Sequence, residues 1–128
     1  MDAAAVVREL WTRFQARDWA GAGELVAPDA VIEWPVSAER IVGRDNFIAV
    51  NRQYPEGWEI RILRVIGSGD EAVSEVEVPH ESLGVFRAVS LWKLADGKLS
   101  RCTEYWTSPG SEAPRPDRAA YVERLGSG

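Results

Sequence analysis

A single carboxylate on a predicted β-strand is the side chain of this sequence that is best placed to do chemistry. Glu104 lies between Cys102 and Trp106 in the stretch 91–106, whose alternation and Asp-Gly pair predict a β-hairpin. The hairpin follows a helical N-terminal third, and this order suggests a curved sheet wrapped around helices with a cavity between them. Burial in an apolar cavity disfavours the charged form of a carboxyl group and raises its pKa. Glu104 is therefore the predicted general acid or base.

His80, the only histidine, is the second catalytic candidate, as the partner of Glu104 or as a second proton carrier. The alternative for His80 is an exposed position in a loop. The alternative for Glu104 is an ion pair with Arg87 or Arg101 that holds the sheet together. Cys102 is expected to be a small core residue, because no neighbouring histidine is evident to activate its thiol. The sequence predicts no metal site, since ligand spacing is lacking, and no cofactor, since phosphate-loop and dinucleotide motifs are lacking.

Composition narrows the class of protein further. The 128 residues are enough for one domain with a single core. The net charge of −5, without a basic run, disfavours a nucleic-acid partner, which would need clustered Lys and Arg. The longest apolar run is far shorter than a membrane span, so no membrane partner is expected. One cysteine excludes an internal disulfide, and the lack of a secretory leader predicts a cytoplasmic location.

Apolar periodicity predicts helices first and strands second, which is the order of an α+β domain. The predicted elements are helices over 3–16, 19–26 and 45–53, and strands over 31–34, 59–66, 72–78, 85–94 and 99–107. Asp2 is a predicted N-cap of the first helix. The domain is expected to span residues 1–107. Residues 108–128 are expected to form a Pro/Gly linker and a short C-terminal helix from Asp117 to Leu125.

The turn of the hairpin decides which residues oppose each other, and two registers are open. A three-residue loop over 95–97 places Ala88 opposite Glu104. A two-residue type I′ turn at Asp96-Gly97 places Val89 there instead. A change of register changes the cross-strand neighbours that share a face.

Four short pieces, in a fixed order, carry a resemblance to a known fold. They are Arg17-Asp18-Trp19, the stretch from Pro28-Asp29-Ala30-Val31 to Trp34-Pro35, Gly43-Arg44-Asp45, and Asp96-Gly97-Lys98-Leu99 leading into Glu104-Tyr105-Trp106. Together they resemble the nuclear-transport-factor-two-like superfamily, in its SnoaL-like branch. The resemblance implies a cystatin-like α+β cone, in which three N-terminal helices pack on a curved mixed or antiparallel sheet and enclose a pocket. This fold hosts isomerases, dehydratases, polyketide cyclases, epoxide hydrolases and non-catalytic binding domains.

The catalytic residues of the similar ketosteroid isomerases do not carry over. Leu10 stands where those enzymes have a tyrosine on helix one, Trp34 where they have the general base, and Ser90 where they have the second oxyanion acid. Steroid isomerisation of that type is therefore excluded. Limonene-type epoxide hydrolases need two aspartates and an arginine, whereas one acid stands here at a matching inward position. Thr107 replaces the aspartate that often ends the SnoaL-like motif.

The resemblance favours the three-residue loop and makes one face of the sheet concave. The side chains it implies at the cavity, besides Glu104 and His80, are Trp34, Phe47, Val50, Val76, Val78, Phe86, Ser90, Trp92, Cys102 and Trp106. The predicted ligand is a small, flat, apolar molecule. The convex face, with Val89, Leu91 and Tyr105, is the expected homodimer interface, since members of this family commonly pair sheet to sheet.

Three functions follow as hypotheses. The first is a cofactor-independent isomerase, cyclase, dehydratase or hydrolase that uses Glu104 on the bound molecule. The second is a non-catalytic ligand-binding module, and the third is a module whose purpose is dimerisation.

Overall fold

The structure, a computed structural model, describes Met1–Gly126 and confirms the predicted α+β cone. Three helices, α1 Ala3–Gln15, α2 Trp19–Glu24 and α3 Arg44–Arg52, pack on one face of a six-stranded sheet. The strands are β1 Val26–Trp34, β2 Glu39–Val42, β3 Arg61–Ser68, β4 Glu71–His80, β5 Gly84–Ala95 and β6 Lys98–Thr107. Their order in the sheet is β2-β1-β6-β5-β4-β3. The sheet is mixed, because β1 pairs with β6 in parallel while the other neighbouring pairs are antiparallel.

Polar caps and an apolar stripe fix the first two helices. The Asp2 side chain accepts a hydrogen bond from the Ala5 N–H at 2.8 Å, as predicted for an N-cap. Asp18 caps α2 in the same way by accepting from the Gly21 N–H at 2.9 Å. The apolar stripe of α1 is buried against the sheet and includes Leu10 and Phe14. Helix α1 therefore forms one wall of the space inside the cone.

The first strand of the sheet is longer than the predicted strand over 31–34, and it forms a hairpin that was not predicted. Strand β1 begins at Val26, and its pairing with β6 is irregular between Val26 and Val31, a stretch that contains Pro28. Strand β2 was not predicted. It pairs with the end of β1 after a turn in which Ala38 adopts a positive φ of 58°. Its four residues alternate too briefly to give a strand signal.

Strand β4 also continues further than predicted, through Pro79 and His80, which were expected in a loop. Pro79 pairs with Val85 and His80 pairs with Gly84. The Pro79 carbonyl accepts a hydrogen bond from the Glu59 N–H at 3.1 Å. Pairing on both sides thus holds this segment extended in spite of the proline.

The hairpin turn corrects the preferred register. Asp96 and Gly97 have φ angles of 52° and 77°, and Ala95 pairs with Lys98, so the loop has two residues and not three. The register shifts by one residue after Leu94 pairs with Leu99. Beyond this bulge Ser90 opposes Glu104. Both predicted partners of Glu104, Ala88 and Val89, are therefore wrong.

The C-terminal tail forms one 3₁₀ turn, Pro116–Arg118, where a helix reaching Leu125 was predicted. Tyr121 and Leu125, which define the apolar side of that predicted helix, are both exposed. An unpacked helix of this length is marginal in water, so propensity alone does not hold it. Residues 127–128 of the predicted tail lie outside the described residues. Across Met1–Gly126, no helix is both long and apolar enough to span a membrane.

Candidate functional site

A cavity of about 450 Å³ lies between the helices and the concave face of the sheet. This volume is in the range of small-molecule sites. Its lining residues are Trp11, Phe14, Trp34, Val36, Ser37, Val50, Asn51, Gln53, Tyr54, Trp58, Ile60, Val78, Phe86, Glu104 and Trp106. The exposed members of the lining lie at 36–37 and 53–54, which places the opening between the β1–β2 turn and the end of α3.

Glu104 is the one carboxyl group among the described lining residues, and only 3% of its surface is exposed. Three neutral donors hold it. Oε1 accepts hydrogen bonds from Trp34 Nε1 at 3.0 Å and from Trp106 Nε1 at 2.7 Å. Oε2 accepts from the Ser90 hydroxyl at 2.6 Å. The register shift in the hairpin brings Ser90 opposite Glu104 and makes the last of these bonds possible.

Burial raises the pKa of Glu104 above its ordinary value, although the hydrogen bonds from Ser90, Trp106 and Trp34 act in the opposite direction. The alternative of an arginine partner is not what the structure shows. Arg87 pairs with Glu75 and Glu77 on the outer face of the sheet. Within Met1–Gly126, no cationic side chain forms an ion pair with Glu104.

A second polar centre lies next to Glu104 in the same row of the sheet. Ser74 pairs with Ser90 across β4 and β5, and Ser90 pairs with Glu104 across β5 and β6. The Ser74 hydroxyl oxygen accepts hydrogen bonds from Trp11 Nε1 at 3.1 Å and Trp92 Nε1 at 2.9 Å. Two acceptors in this row thus hold four of the six indole N–H groups. These hydrogen bonds fix the orientation of the four indole rings.

The predicted lining residues divide into two groups. Those that line the cavity are Trp34, Val50, Val78, Phe86, Glu104 and Trp106. Those that are buried but lie outside its lining are Phe47, Val76, Ser90, Trp92 and Cys102. The ring of Phe47 packs on Phe14 at 5.7 Å and on Trp92 at 6.3 Å between centroids, so this part of the cone is filled core. Burial, together with the Glu104 charge, raises the pKa of the Cys102 thiol, which keeps it protonated and unreactive.

His80 is buried but is not part of the cavity lining. Its Nδ1 accepts a hydrogen bond from the Ser82 N–H at 3.1 Å, so its Nε2 carries the proton and donates to the Pro55 carbonyl at 3.0 Å. Both ring nitrogens are therefore bonded to the backbone. This arrangement fixes the loop after α3 and leaves neither nitrogen free to carry a proton for Glu104.

Other contacts fix the same loop, which supplies the cavity with Tyr54 and Trp58. The Arg17 guanidinium donates two hydrogen bonds to Glu56 and one to the Trp58 carbonyl, and it lies 3.2 Å from the centroid of the Trp58 ring. The Gln15 side chain accepts from the Ile60 N–H at 2.6 Å. The end of α1 thus holds this wall of the cavity in place.

Sequence reasoning missed part of the lining. Trp11 and Phe14 follow the helical period of α1, which predicts burial but not contact with a cavity, and Tyr54 and Trp58 lie in a loop without periodicity. The inward position of Ser74 follows from alternation with Val76 and Val78, but its role as an acceptor for two indoles depends on the tertiary structure.

No group of three or more His, Cys, Asp or Glu side chains that could hold a metal ion occurs within the described part of the chain.

Comparison with known proteins identifies the family. The SnoaL-like domain matches residues 7–102, which is more than half of the chain. The chain belongs to the SnoaL-like family. It is similar, at 29% identity and a TM-score of 0.88, to a provisionally named ketosteroid isomerase from Kribbella flavida DSM 17836, over 96% of this chain and 89% of that one. No curated protein matches the chain.

Two further solved structures have the same fold. A nuclear-transport-factor-two-like protein of unknown function from Burkholderia xenovorans LB400 is 28% identical, with a TM-score of 0.74 over 95% of this chain and 94% of that one. An LEH-like epoxide hydrolase from M. tuberculosis is 21% identical, with a TM-score of 0.69 over 82% of each chain. The SnoaL-like fold is thus shared by proteins with different names, and the activity of this member must be argued from its own cavity.

Proposed function

We propose that this SnoaL-like protein binds a small, flat, apolar molecule in its cavity and that Glu104 transfers a proton to or from it without a cofactor. One observation carries the proposal: a single buried carboxyl group lies in the wall of a cavity whose described lining is mostly apolar. The raised pKa of Glu104 supports it, because a carboxyl group whose pKa lies closer to neutral pH can act as both acid and base. Suitable reactions are isomerisation, cyclisation, dehydration and hydrolysis.

The hydrogen bonds of Glu104 favour one oxygen as the proton site. Indole N–H groups can only donate, so Oε1, which faces two of them, cannot readily take a proton. Oε2 faces the Ser90 hydroxyl, which can turn and accept a hydrogen bond. A proton removed from the ligand would therefore be held on Oε2. The Ser90 hydroxyl would then accept a hydrogen bond from Oε2 where it now donates one.

Two relatives have enzyme names, and this supports an enzyme that acts on small molecules. The residues of ketosteroid isomerases are not the ones used here. Leu10 is fully buried in the core, Trp34 donates to Glu104, and so does Ser90. The proposed proton transfer therefore depends on Glu104 and on its three donors.

Deuterium exchange tests proton transfer without knowledge of the natural substrate. Phenylacetone, a small ketone with a flat phenyl ring, is incubated with the protein in D2O, and NMR follows exchange at its benzylic carbon. The wild-type protein should accelerate exchange and Glu104→Gln should not, whereas Glu112→Gln, on the exposed tail, serves as the matched control. Equal exchange with the wild-type protein and Glu104→Gln, under conditions in which the ketone is bound, would contradict catalysis by Glu104.

The alternative is a ligand-binding module without catalysis, favoured by the missing acids of related enzymes. Such a module should be thermally stabilised by phenylacetone and should give no exchange above the Glu104→Gln background. Because binding and exchange are measured separately, the two functions give different results.

We further propose that two copies pair through the convex face of the sheet. Val73, Val89, Leu91 and Tyr105 are all exposed there, between 37% and 45%. Arg64 and Arg87 pair with Glu75 beside them, so the face combines apolar side chains with compensated charges. Sedimentation equilibrium at increasing concentration tests for the dimer. A monomer at all concentrations would contradict the proposed dimer. It would also contradict the hypothesis that the purpose of the protein is dimerisation.

A cytoplasmic location is part of the same proposal. Cys102 is the only cysteine, so the chain has no internal disulfide, a bond that is common in exported proteins and rare in the cytoplasm. Fractionation of the native host, with immunodetection of the protein, tests it.

A further inference from the structure

The charge of Glu104 is not compensated inside the cavity. Its hydrogen-bond donors are two indole N–H groups and one hydroxyl, and none of these carries a formal charge. Among the described lining residues there is no lysine, arginine or histidine. When Glu104 is ionised, the cavity therefore holds a net charge of about −1 in a medium that screens it poorly. A neutral ligand leaves that charge unpaired, and an anionic ligand is repelled.

The walls of the cavity are suited to the opposite charge. Seven of the fifteen lining residues are aromatic, and the faces of aromatic rings attract cations. Trp34 and Trp106 direct their N–H groups to Glu104, and Trp11 directs its N–H to Ser74. The positive edges of these rings are thus already bonded, which leaves carbon surfaces for a ligand.

The ring of Trp58, which lines the cavity, has a cation over its face in the structure. The guanidinium carbon of Arg17 lies 3.2 Å from the centroid of the Trp58 ring. Arg17 is held in that place by hydrogen bonds to Glu56 and to three backbone carbonyls. It is not among the lining residues, and it is not one of the groups that shift the pKa of Glu104.

We propose that the cavity selects an organic cation, a tertiary or quaternary ammonium group with an apolar substituent, over a neutral molecule of the same shape. This inference rests on the proposed binding of a small molecule in the cavity, and it does not depend on proton transfer. A quaternary ammonium group fits best, because it needs no hydrogen-bond acceptors. The amide donors at the mouth are already engaged, since Asn51 donates to the Phe47 carbonyl and Gln53 to the Val50 carbonyl.

Ligand binding and ionisation of Glu104 are coupled in this proposal. Burial raises the pKa of Glu104, and a cation beside it acts in the opposite direction. A quaternary ammonium ion does not titrate. Its affinity should therefore rise with pH as Glu104 ionises and level off when ionisation is complete. The affinity of a neutral ligand should stay level or fall over the same range.

Phenyltrimethylammonium and tert-butylbenzene form a matched pair of probes of the same shape. The first has a positively charged quaternary nitrogen where the second has a neutral quaternary carbon. Dissociation constants are measured by tryptophan fluorescence at several pH values, and NMR of the indole N–H groups of Trp34 and Trp106 locates the ligand. Above the Glu104 pKa, the cation should bind about tenfold more tightly than the neutral probe. Glu104→Gln should abolish that preference and its pH dependence, whereas Glu112→Gln should retain both.

The outcomes separate this inference from the proposed function. Equal or tighter binding of tert-butylbenzene in the cavity overturns the cation preference and leaves binding of an apolar molecule intact. A preference that survives in Glu104→Gln, or that shows no pH dependence in the wild-type protein, also overturns it. Failure of both probes to perturb the two indole signals overturns the inference and small-molecule binding together.

Discussion

Replacement of Glu104 by Gln should stabilise the protein at neutral and alkaline pH. The side-chain amide of Gln can keep the three contacts of the carboxylate: its oxygen accepts from Trp34 and Trp106, and its NH₂ group donates to the Ser90 oxygen. What the substitution removes is the buried charge. Since burial is the largest influence on the pKa of Glu104, the folded protein binds this proton more tightly than the unfolded chain does.

The direction of the pH effect follows from that difference. The stability contributed by protonated Glu104 is fully present below the ordinary pKa of 4.5 and is lost as the pH rises through the raised pKa of the folded state. Each pKa unit of the shift corresponds to about 1.4 kcal/mol. The wild-type protein and Glu104→Gln should therefore be similarly stable near the ordinary pKa of the carboxyl group. The variant should become the more stable of the two toward pH 8.

Glu104→Leu is the contrasting variant, because Leu removes the acceptor as well as the charge. It leaves the indole N–H groups of Trp34 and Trp106 without their partner. At about 1–3 kcal/mol for each unsatisfied donor, Glu104→Leu should be about 2–6 kcal/mol less stable than Glu104→Gln at every pH, because both variants lack the charge. The free energy of unfolding is measured by urea denaturation at a series of pH values. The reasoning is refuted if Glu104→Gln is less stable than the wild-type protein at pH 8, or if the difference between them does not change with pH.

Three further predictions concern residues around the site and on the outer face. Ser90→Ala removes a hydrogen bond to the carboxylate, so NMR titration should show a higher pKa for Glu104 than in the wild-type protein; an unchanged pKa would contradict the role of the hydroxyl group. His80→Ala removes the bonds to the Pro55 carbonyl and the Ser82 N–H and should lower the free energy of unfolding by about 1–3 kcal/mol, while deuterium exchange by Glu104 is retained if His80 is structural. Leu91→Glu should shift the predicted dimer toward monomer in sedimentation without changing the Glu104 pKa, whereas the exposed tail variant Leu125→Glu should leave the assembly unchanged.

The fold could be predicted from the sequence because its signals are local. The three helices and strands β3 to β6 follow from apolar periodicity. Alternation along β6 places Cys102, Glu104 and Trp106 on one face, and the family resemblance implies that this face is the concave one. Strand β2 was not predicted because its four residues are too few to show alternation. The first part of β1 was not predicted because Pro28 interrupts the pattern there.

The environment of Glu104 could be predicted only in part, since its partners are distant in the sequence. Trp34 lies 70 residues from Glu104, and the contact with Ser90 depends on a register shift that no turn signal marks. The prediction for His80 failed for a related reason. An imidazole on a strand end can face a cavity or bind backbone, and the Pro55 carbonyl that engages it comes from a loop 25 residues away.

The row formed by Ser74, Ser90 and Glu104 has a consequence for ligand affinity. Because it anchors the rings of Trp11, Trp34, Trp92 and Trp106 by their N–H groups, these side chains are ordered before any molecule enters. Immobilising a side chain on association typically opposes binding by about 0.5–1.5 kcal/mol, and a preorganised receptor avoids this loss. If a small molecule binds as proposed, the cavity does not have to order these rings on binding, so a modest contact area can give useful affinity.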